Sequence, residues 1–379
     1  MITRFLILML FPWQAQANDL YLNFASSTQL PKSLIKSDTY NFVKQEELTF
    51  LKLSSQKELQ SFLKQVRFPK KYCGGFVVSK SALSLKKKKS SNIYDYTISR
   101  PQLTKRLLKS VNEQSLYQFI KKFSSYHTRY YTAQTGIKAL KDLAQHWQNI
   151  ISIRSDANIK FFKHPDWPQP SVILTFKGKS SQKIITGGHA DSINTDDEGK
   201  HSLAPGADDN ASGISVITEI IRVLVNHNYK PKNTLVFMAY AAEEVGLQGS
   251  MEIAKTYYEN KEDVLGVIQF DGTNFNGSDI KFALINDNTN ADQNKFIGNL
   301  IDEYLNVAWG YDQCQYACSD HYSWDYYGFK ASFPAEARIA QENPRIHTEE
   351  DTLKVSNYTA DHAVHFAKLG LAYIIELDK

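Results

Sequence analysis

The sequence predicts an α/β fold: a mostly parallel central sheet flanked by helices on both faces, preceded by a small N-terminal region. Three observations carry that expectation. From about residue 100, short apolar runs alternate with stretches that have helical spacing of their apolar positions. Histidines and carboxylates recur directly after the apolar runs, where such folds gather their functional groups. Of the 379 residues, 42% are hydrophobic and 22% charged, enough for a large core and incompatible with global disorder.

In chain order, residues 1–17 read as a secretory signal peptide. Arg4 supplies the positive end, residues 5–11 the apolar core, and Ala15-Gln16-Ala17 a small-x-small cleavage site. A secreted or periplasmic protein is expected. Residues 18–94 read as a separate unit, a propeptide that ends in the run Lys86-Lys87-Lys88-Lys89-Ser90-Ser91, exposed to proteases. Residues 95–379 read as the main domain. Residues 18–94 hold 14 Lys and Arg against 5 Asp and Glu, which leaves the main domain at −6. The two parts are therefore electrostatically complementary, and the segment is expected to cover the site or aid folding until it is cut. A negative main domain argues against nucleic-acid binding. No apolar run reaches the roughly 18 residues of a membrane helix, so no stable membrane association is expected. In an oxidising compartment disulfides persist, and Cys314 and Cys318 are spaced for a tight one, with Cys73 left over.

Residues 111–150 predict two amphipathic helices. Strands are predicted at 171–176, 183–186, 234–240 and 264–270, and helices at 213–227, 247–258, 291–305 and 357–376. After the strand at 183–186 comes Gly187-Gly188-His189-Ala190-Asp191. His189 suits a metal ligand oriented by Asp191, although a hydrogen-bonded loop histidine explains the motif alone equally well. Asp208 and Asp209 enter the helix at 213, where either a ligand or an N-cap role is open. Glu243 and Glu244 follow the strand at 234–240 with apolar flanks, and two buried like charges are costly without a cation. Asp271 follows the strand at 264–270, and His347 precedes the last helix. Together these groups converge on one crevice. Mixed imidazole and carboxylate donors suit zinc, and their number suits two ions.

The motifs GGHAD, APGADDNASG, MAYAAEEVGLQGS, FDGTNF, CQYACSDHYSW and NPRIHTEEDTL closely resemble those of the secreted bacterial leucyl aminopeptidases, the co-catalytic di-zinc exopeptidases. The resemblance spans roughly residues 110–376. It implies a zinc exopeptidase-like fold and two Zn²⁺ per chain, with His189 and Asp271 on one ion, Glu244 and His347 on the other, and Asp208 bridging both. It implies Glu243 as general base, Asp191 as the partner orienting His189, a cis bond at Asp208–Asp209, and Tyr316 holding the tetrahedral intermediate. Ser319 and Asp320 would support ligands rather than bind metal. The implied activity is hydrolysis of the N-terminal residue of peptides with a free amino group, by a monomer made as a zymogen.

The pocket positions depart from the family. Gly272 stands where Met is common, Ala335 where Phe is common, and Glu342 where Tyr is common. With Phe333, Ile339 and Ile346 they predict a longer pocket with a negative end, suited to Lys or Arg at the first position; Leu or another large apolar residue is the alternative. Other readings are a carboxypeptidase or glutaminyl cyclase of the same fold, or an inactive binding domain. All the family's ligand positions and the base are present, which favours the peptidase.

Overall fold

The computed structural model describes residues 20–25, 42–45, 48–65, 76–79, 95–195 and 199–379. The expected signal peptide, the lysine run and Cys73 lie outside the described residues.

The central sheet has six strands in the order β12-β9-β7-β8-β6-β5. They are β5 (Ala157–Phe162), β6 (Ser171–Phe176), β7 (Lys183–His189), β8 (Thr234–Tyr240), β9 (Val264–Gln269) and the short β12 (Ala331–Ser332). Strands β12, β9, β7 and β8 pair in parallel, whereas β6 pairs antiparallel with both β8 and β5. The sheet is thus mixed, with its parallel half where the expected functional groups fall. The antiparallel half follows from chain length: the links β5–β6 and β6–β7 are too short for a helical crossover, so β6 runs opposite to β5 and to β7 with its parallel neighbour β8.

Alternation along β8 shows how both faces are covered. Leu235, Phe237 and Ala239 enter one core, and Val236, Met238 and Tyr240 enter another. The first core is shared with α3 (Glu113–Phe123), α4 (Gln134–Ile150), α5 (Gly213–Asn226), α7 (Ala291–Tyr304) and α9 (Asp361–Leu377). The second is closed by α6 (Gln248–Glu259) and α8 (His321–Tyr326). Every residue of β8 is buried, as a strand covered on both faces requires. The helices at the predicted positions agree within a few residues. A smaller sheet, β11 (Trp309–Asp312), β10 (Phe282–Ile285) and β13 (Pro334–Ala335), was not anticipated. Its strands are too short to show a pattern.

The N-terminal part has its own four-stranded sheet, order β2-β3-β1-β4, from β1 (Leu20–Ala25), β2 (Phe42–Gln45), β3 (Leu48–Leu53) and β4 (Val77–Ser79). Leu22, Leu51, Leu53, Leu59, Phe62 and Phe76 form a core of their own there, with α1 (Gln56–Gln65) packed on it. Among the described residues it meets the main body around Gly246, Gln248, Met251 and Ala317. Val78 N–H donates to Gly246 O at 2.9 Å, Gln56 Nε2 donates to Gln248 Oε1 at 2.9 Å, and Val77 packs with Leu247, Met251 and Ala317. No helix among the described residues is long and apolar enough to cross a membrane.

Candidate metal centre

Three adjacent parallel strands, β9, β7 and β8, end at the same edge and deliver the ligands. His189 is the last residue of β7, Asp271 lies two residues past β9, and Glu243 and Glu244 lie just past β8. His347 comes from the loop before α9, in a left-handed backbone conformation (φ +59°), with its carbonyl accepting from Thr195 N–H at 2.9 Å.

These side chains form two buried triads that share one residue. His189, Asp209 and Asp271 make the first; Asp209, Glu244 and His347 make the second. Within each, the donor atoms lie within 4.8 Å of one another. His189 Nε2 is 3.0 Å from both Asp209 Oδ1 and Asp271 Oδ1. His347 Nε2 is 3.0 Å from Asp209 Oδ2 and 3.1 Å from Glu244 Oε2.

The bridging residue is therefore Asp209, and the expectation of Asp208 is corrected. Asp209 has extended backbone (φ −104°, ψ 94°), so neighbouring side chains diverge. Asp208 points away and accepts from Asn274 N–H at 2.9 Å and Asn343 Nδ2 at 3.0 Å. The cis peptide likewise falls one residue later than expected, at Asp209–Asn210. The run Asp-Asp-Asn offers adjacent carboxylates, and only the backbone path decides which one faces inward.

Asp191 sits 3.5 Å from His189 Nδ1 and accepts from the N–H groups of Glu243 (3.1 Å) and Glu244 (3.2 Å), so one carboxylate ties two ligand loops together. Glu243 belongs to neither triad; its carboxylate stands 4.0 Å from His189 Nε2. Of three further supports, sequence reading missed two. Asn210 Nδ2 donates to His189 O and Phe270 O, and its Oδ1 accepts from Gly213 N–H, joining two strand ends to α5. Asp351 accepts from the N–H groups of Asp208 and Asp209. Ser319 donates to Asp271. The last was anticipated as a support; for Asn210 and Asp351 no sequence signal beyond the motifs themselves existed.

The electrostatics are those of a site built for cations. Burial, then repulsion from Asp209, pushes Glu244 up to about 7 despite His347. Burial pushes Glu243 well above the usual carboxylate range, with Asp320, Asp271 and Glu244 adding to it against His189. Burial disfavours charge on both histidines, yet their carboxylate neighbours hold them well above the usual imidazole value. Asp209 also suffers from burial, but His189 and His347 hold its pKa far down. Both oxygens of Asp209, Glu243 and Glu244 are buried and take no hydrogen bond of regular geometry. Such a cluster is costly unless cations compensate it, and imidazole with carboxylate is the donor set that zinc takes.

A cleft of about 540 Å³ opens beside the shared Asp209 and Asp271. It is lined by all seven residues anticipated for substrate: Gly272, Tyr316, Phe333, Ala335, Ile339, Glu342 and Ile346. Cys314 and Cys318 also line it and are joined in a disulfide. Glu336 adds a second carboxyl to the wall, facing Gly272, where a Cβ would lie 3.6 Å from that carboxyl. No lysine or arginine lines the cleft among the described residues.

Comparison with known proteins agrees with this geometry. The description of peptidase family M28 matches residues 171–372. A probable leucine aminopeptidase of Arthroderma benhamiae is 34% identical over 298 residues, 78% of this chain and 81% of its own. Among solved structures, LapB from Legionella pneumophila is 27% identical with a TM-score of 0.82, covering 95% of this chain and 100% of that one. The Legionella pneumophila LapA aminopeptidase is 27% identical with a TM-score of 0.79, covering 95% and 98%.

Proposed function

The chain belongs to peptidase family M28 and is a metalloaminopeptidase, and on that premise we propose that it is an exported enzyme with two zinc ions, selective for cationic first residues and restrained by its own N-terminal segment. The observation that carries the two-ion reading is the pair of buried triads sharing Asp209. His189 and Asp271 would hold one ion, Glu244 and His347 the other, and Asp209 both. Bound there, the ions would supply Lewis acidity and a water acidified toward neutrality.

The rest is the work of the chain. Glu243, outside both triads and with its carboxyl group's proton affinity raised by burial, takes a proton from the attacking water and delivers it to the leaving amine as the C–N bond breaks. Asp191 holds the backbone that aims Glu243 and steadies His189. Tyr316, on the disulfide loop, is placed in the cleft to meet the carbonyl oxygen as it becomes tetrahedral. The substrate's free amino group is taken at the acidic end of the cleft.

Glu342 supports the side-chain preference. Asp209 and Asp271 serve the ions, and burial with a hydrogen bond to Asp208 keeps Glu336 protonated well above the usual range. Glu342 stands in the wall of the cleft where the family commonly has Tyr, and so brings a carboxylate to the side-chain pocket. A cationic side chain gains a charged hydrogen bond there that a neutral one does not.

The contact of the N-terminal sheet supports the restraint. β4 touches Gly246 and Leu247, just beyond Glu243 and Glu244, and Ala317 between Tyr316 and Cys318. The turn beyond Glu243 and Glu244 and the disulfide loop that lines the cleft are thus both touched by a segment that ends in a cleavable lysine run. Removal of residues 1–17 on export and cutting near residues 86–89 complete this reading, with a monomer as the mature form.

A rate panel with Leu, Phe, Lys and Arg p-nitroanilides tests it, before and after nicking at the lysine run, with and without chelator. Chelator-sensitive cleavage, faster on Lys and Arg and increased by nicking, is expected. No cleavage of any of the four by the zinc-loaded nicked protein would overturn the activity. Equal rates before and after nicking would overturn the restraint.

A further inference from the structure

Arg129 stands in the link between α3 and α4 and is completely buried. Its Nε donates to Ala190 O at 2.9 Å, Nη1 to Phe123 O at 3.2 Å and to Pro205 O, and Nη2 to Gly206 O at 2.8 Å. The guanidinium lies over the Phe123 ring, 4.8 Å from its centroid. Ala190 separates His189 from Asp191, and Gly206 precedes Asp209 by three residues. One planar fork therefore grips the two backbone segments that present His189 and Asp209.

The surrounding backbone reinforces the grip. Arg129 N–H donates to Ser192 Oγ at 3.0 Å, whose hydroxyl donates to Ala204 O at 2.8 Å. Gln169 Nε2 donates to Arg129 O at 2.8 Å, and Ala204 N–H to His127 O at 2.8 Å. Gly206 (φ +50°) permits the close approach, because a Cβ there would stand 2.7 Å from Arg129 Nη2 and 2.3 Å from Asp209 O.

The charge is as unusual as the geometry. The other buried arginine among the described residues, Arg154, makes a two-pronged pair with Asp156. Arg129 spends its donors on carbonyls instead. Burial lowers its pKa to about 10, with Asp351, Asp209, Asp191 and Glu244 opposing the fall, so it stays charged at neutral pH. A buried cation without a contacting carboxylate is expensive. The field of the metal-site carboxylates is what offsets that cost.

We propose that Arg129 is a positioning residue of the metal centre: its fork fixes the spacing of the segments bearing His189 and Asp209, and its charge restrains the carboxylates from mutual repulsion before metal binds. This rests on the metalloaminopeptidase reading above. Arg carries both functions, whereas Lys keeps the charge and loses the fork, and Met loses both.

The full-length chain is stripped of metal, and zinc is titrated against a competing chelator for the parent, Arg129→Lys and Arg129→Met. Unfolding of the metal-free proteins is followed in parallel, and kcat and KM are separated at saturating zinc. Zinc affinity is expected to fall about 10–100-fold in Arg129→Met, with Arg129→Lys between it and the parent, and with KM unchanged once zinc saturates. Parent-like zinc affinity in both variants, with only the metal-free unfolding temperature lowered, overturns the proposal and leaves Arg129 a core residue. If Arg129→Met does not fold, Arg129→Lys decides: weakened zinc binding supports the proposal and parent-like binding overturns it. A parent that binds no zinc overturns instead the metal reading on which this one rests.

Discussion

The hydroxyl of Ser319 donates to Asp271 Oδ2 across 2.5 Å, leaving Asp271 Oδ1 3.0 Å from His189 Nε2. Ser319 follows Cys318 directly, so the small ring closed by Cys314–Cys318 reaches a metal-site carboxylate through one hydrogen bond. Replacing both cysteines with serine should cost about 2 kcal/mol of stability for so short a loop. Zinc affinity should also fall, because the loop no longer aims Ser319. A chelator titration that leaves zinc affinity unchanged would limit the bridge to stability.

Asp208 and Asp209 are adjacent, yet they should behave in opposite ways. Asp209→Asn removes the carboxylate common to both triads and should abolish zinc binding, with kcat/KM down on the order of 10³-fold. Asp208→Asn should retain both ions, since Asp208 receives Asn274 N–H and Asn343 rather than a histidine. Metal analysis of the two purified variants separates them, and equal loss in both would contradict the assignment.

Glu243→Gln should keep its metals, because Glu243 lies outside both triads. Its kcat should fall about 10²–10⁴-fold with KM little changed, as for loss of a general base. Zinc content and steady-state rates on one substrate suffice as the check.

For Glu342→Gln, the ratio of kcat/KM on Lys and Leu p-nitroanilides should drop about 10–100-fold, the range for losing a charged hydrogen bond. An unchanged ratio means that the carboxylate of Glu342 does not meet the substrate's cation.

His362 adds a pH dependence unrelated to metal. Its Nε2 is 3.0 Å from Glu336 O, and burial pushes its pKa down to about 4, with Lys281 and His365 adding to the fall. The folded state favours the neutral ring, while the unfolded chain takes up the proton at ordinary pH values. Stability is therefore present above about pH 6.5 and is lost as pH falls toward 4, by roughly 3 kcal/mol in full. Urea midpoints at pH 7.5 and 4.5 should show a smaller difference in His362→Gln than in the parent. An identical difference would remove His362 from the account.

The parallel core of the sheet was legible because its strands are continuous apolar runs, each followed by polar chemistry. Strands β10 to β13 and the edge strand β5 were not, because runs of two to six residues, apolar as in β10 or mixed as in β5, are too short to carry a period. His189, Asp271, His347 and the Glu243–Glu244 pair stood out by position, since each follows a strand or precedes the last helix, but their roles, and the choice between the two glutamates, came only from the family resemblance. Asp209 could not be told from Asp208 without the backbone angles. Arg129 was invisible for a different reason: its partners are carbonyl groups, which every residue possesses, so no spacing in the sequence announces them.

The contact between Val78 and Gly246 has a consequence for how the chain is made. The two residues are far apart in sequence, and a side chain at Gly246 would meet Val78 Cγ2 at 2.7 Å and the Phe76 ring at 2.8 Å. The N-terminal sheet has a core of its own, separate from the surface it docks on. That surface arrives only when β8 and the turn after it have emerged and the parallel strands have paired, a late, long-range event in folding. The fit at Gly246 is therefore completed only when both parts are formed, and the turn that carries Glu243 and Glu244 is one wall of that fit.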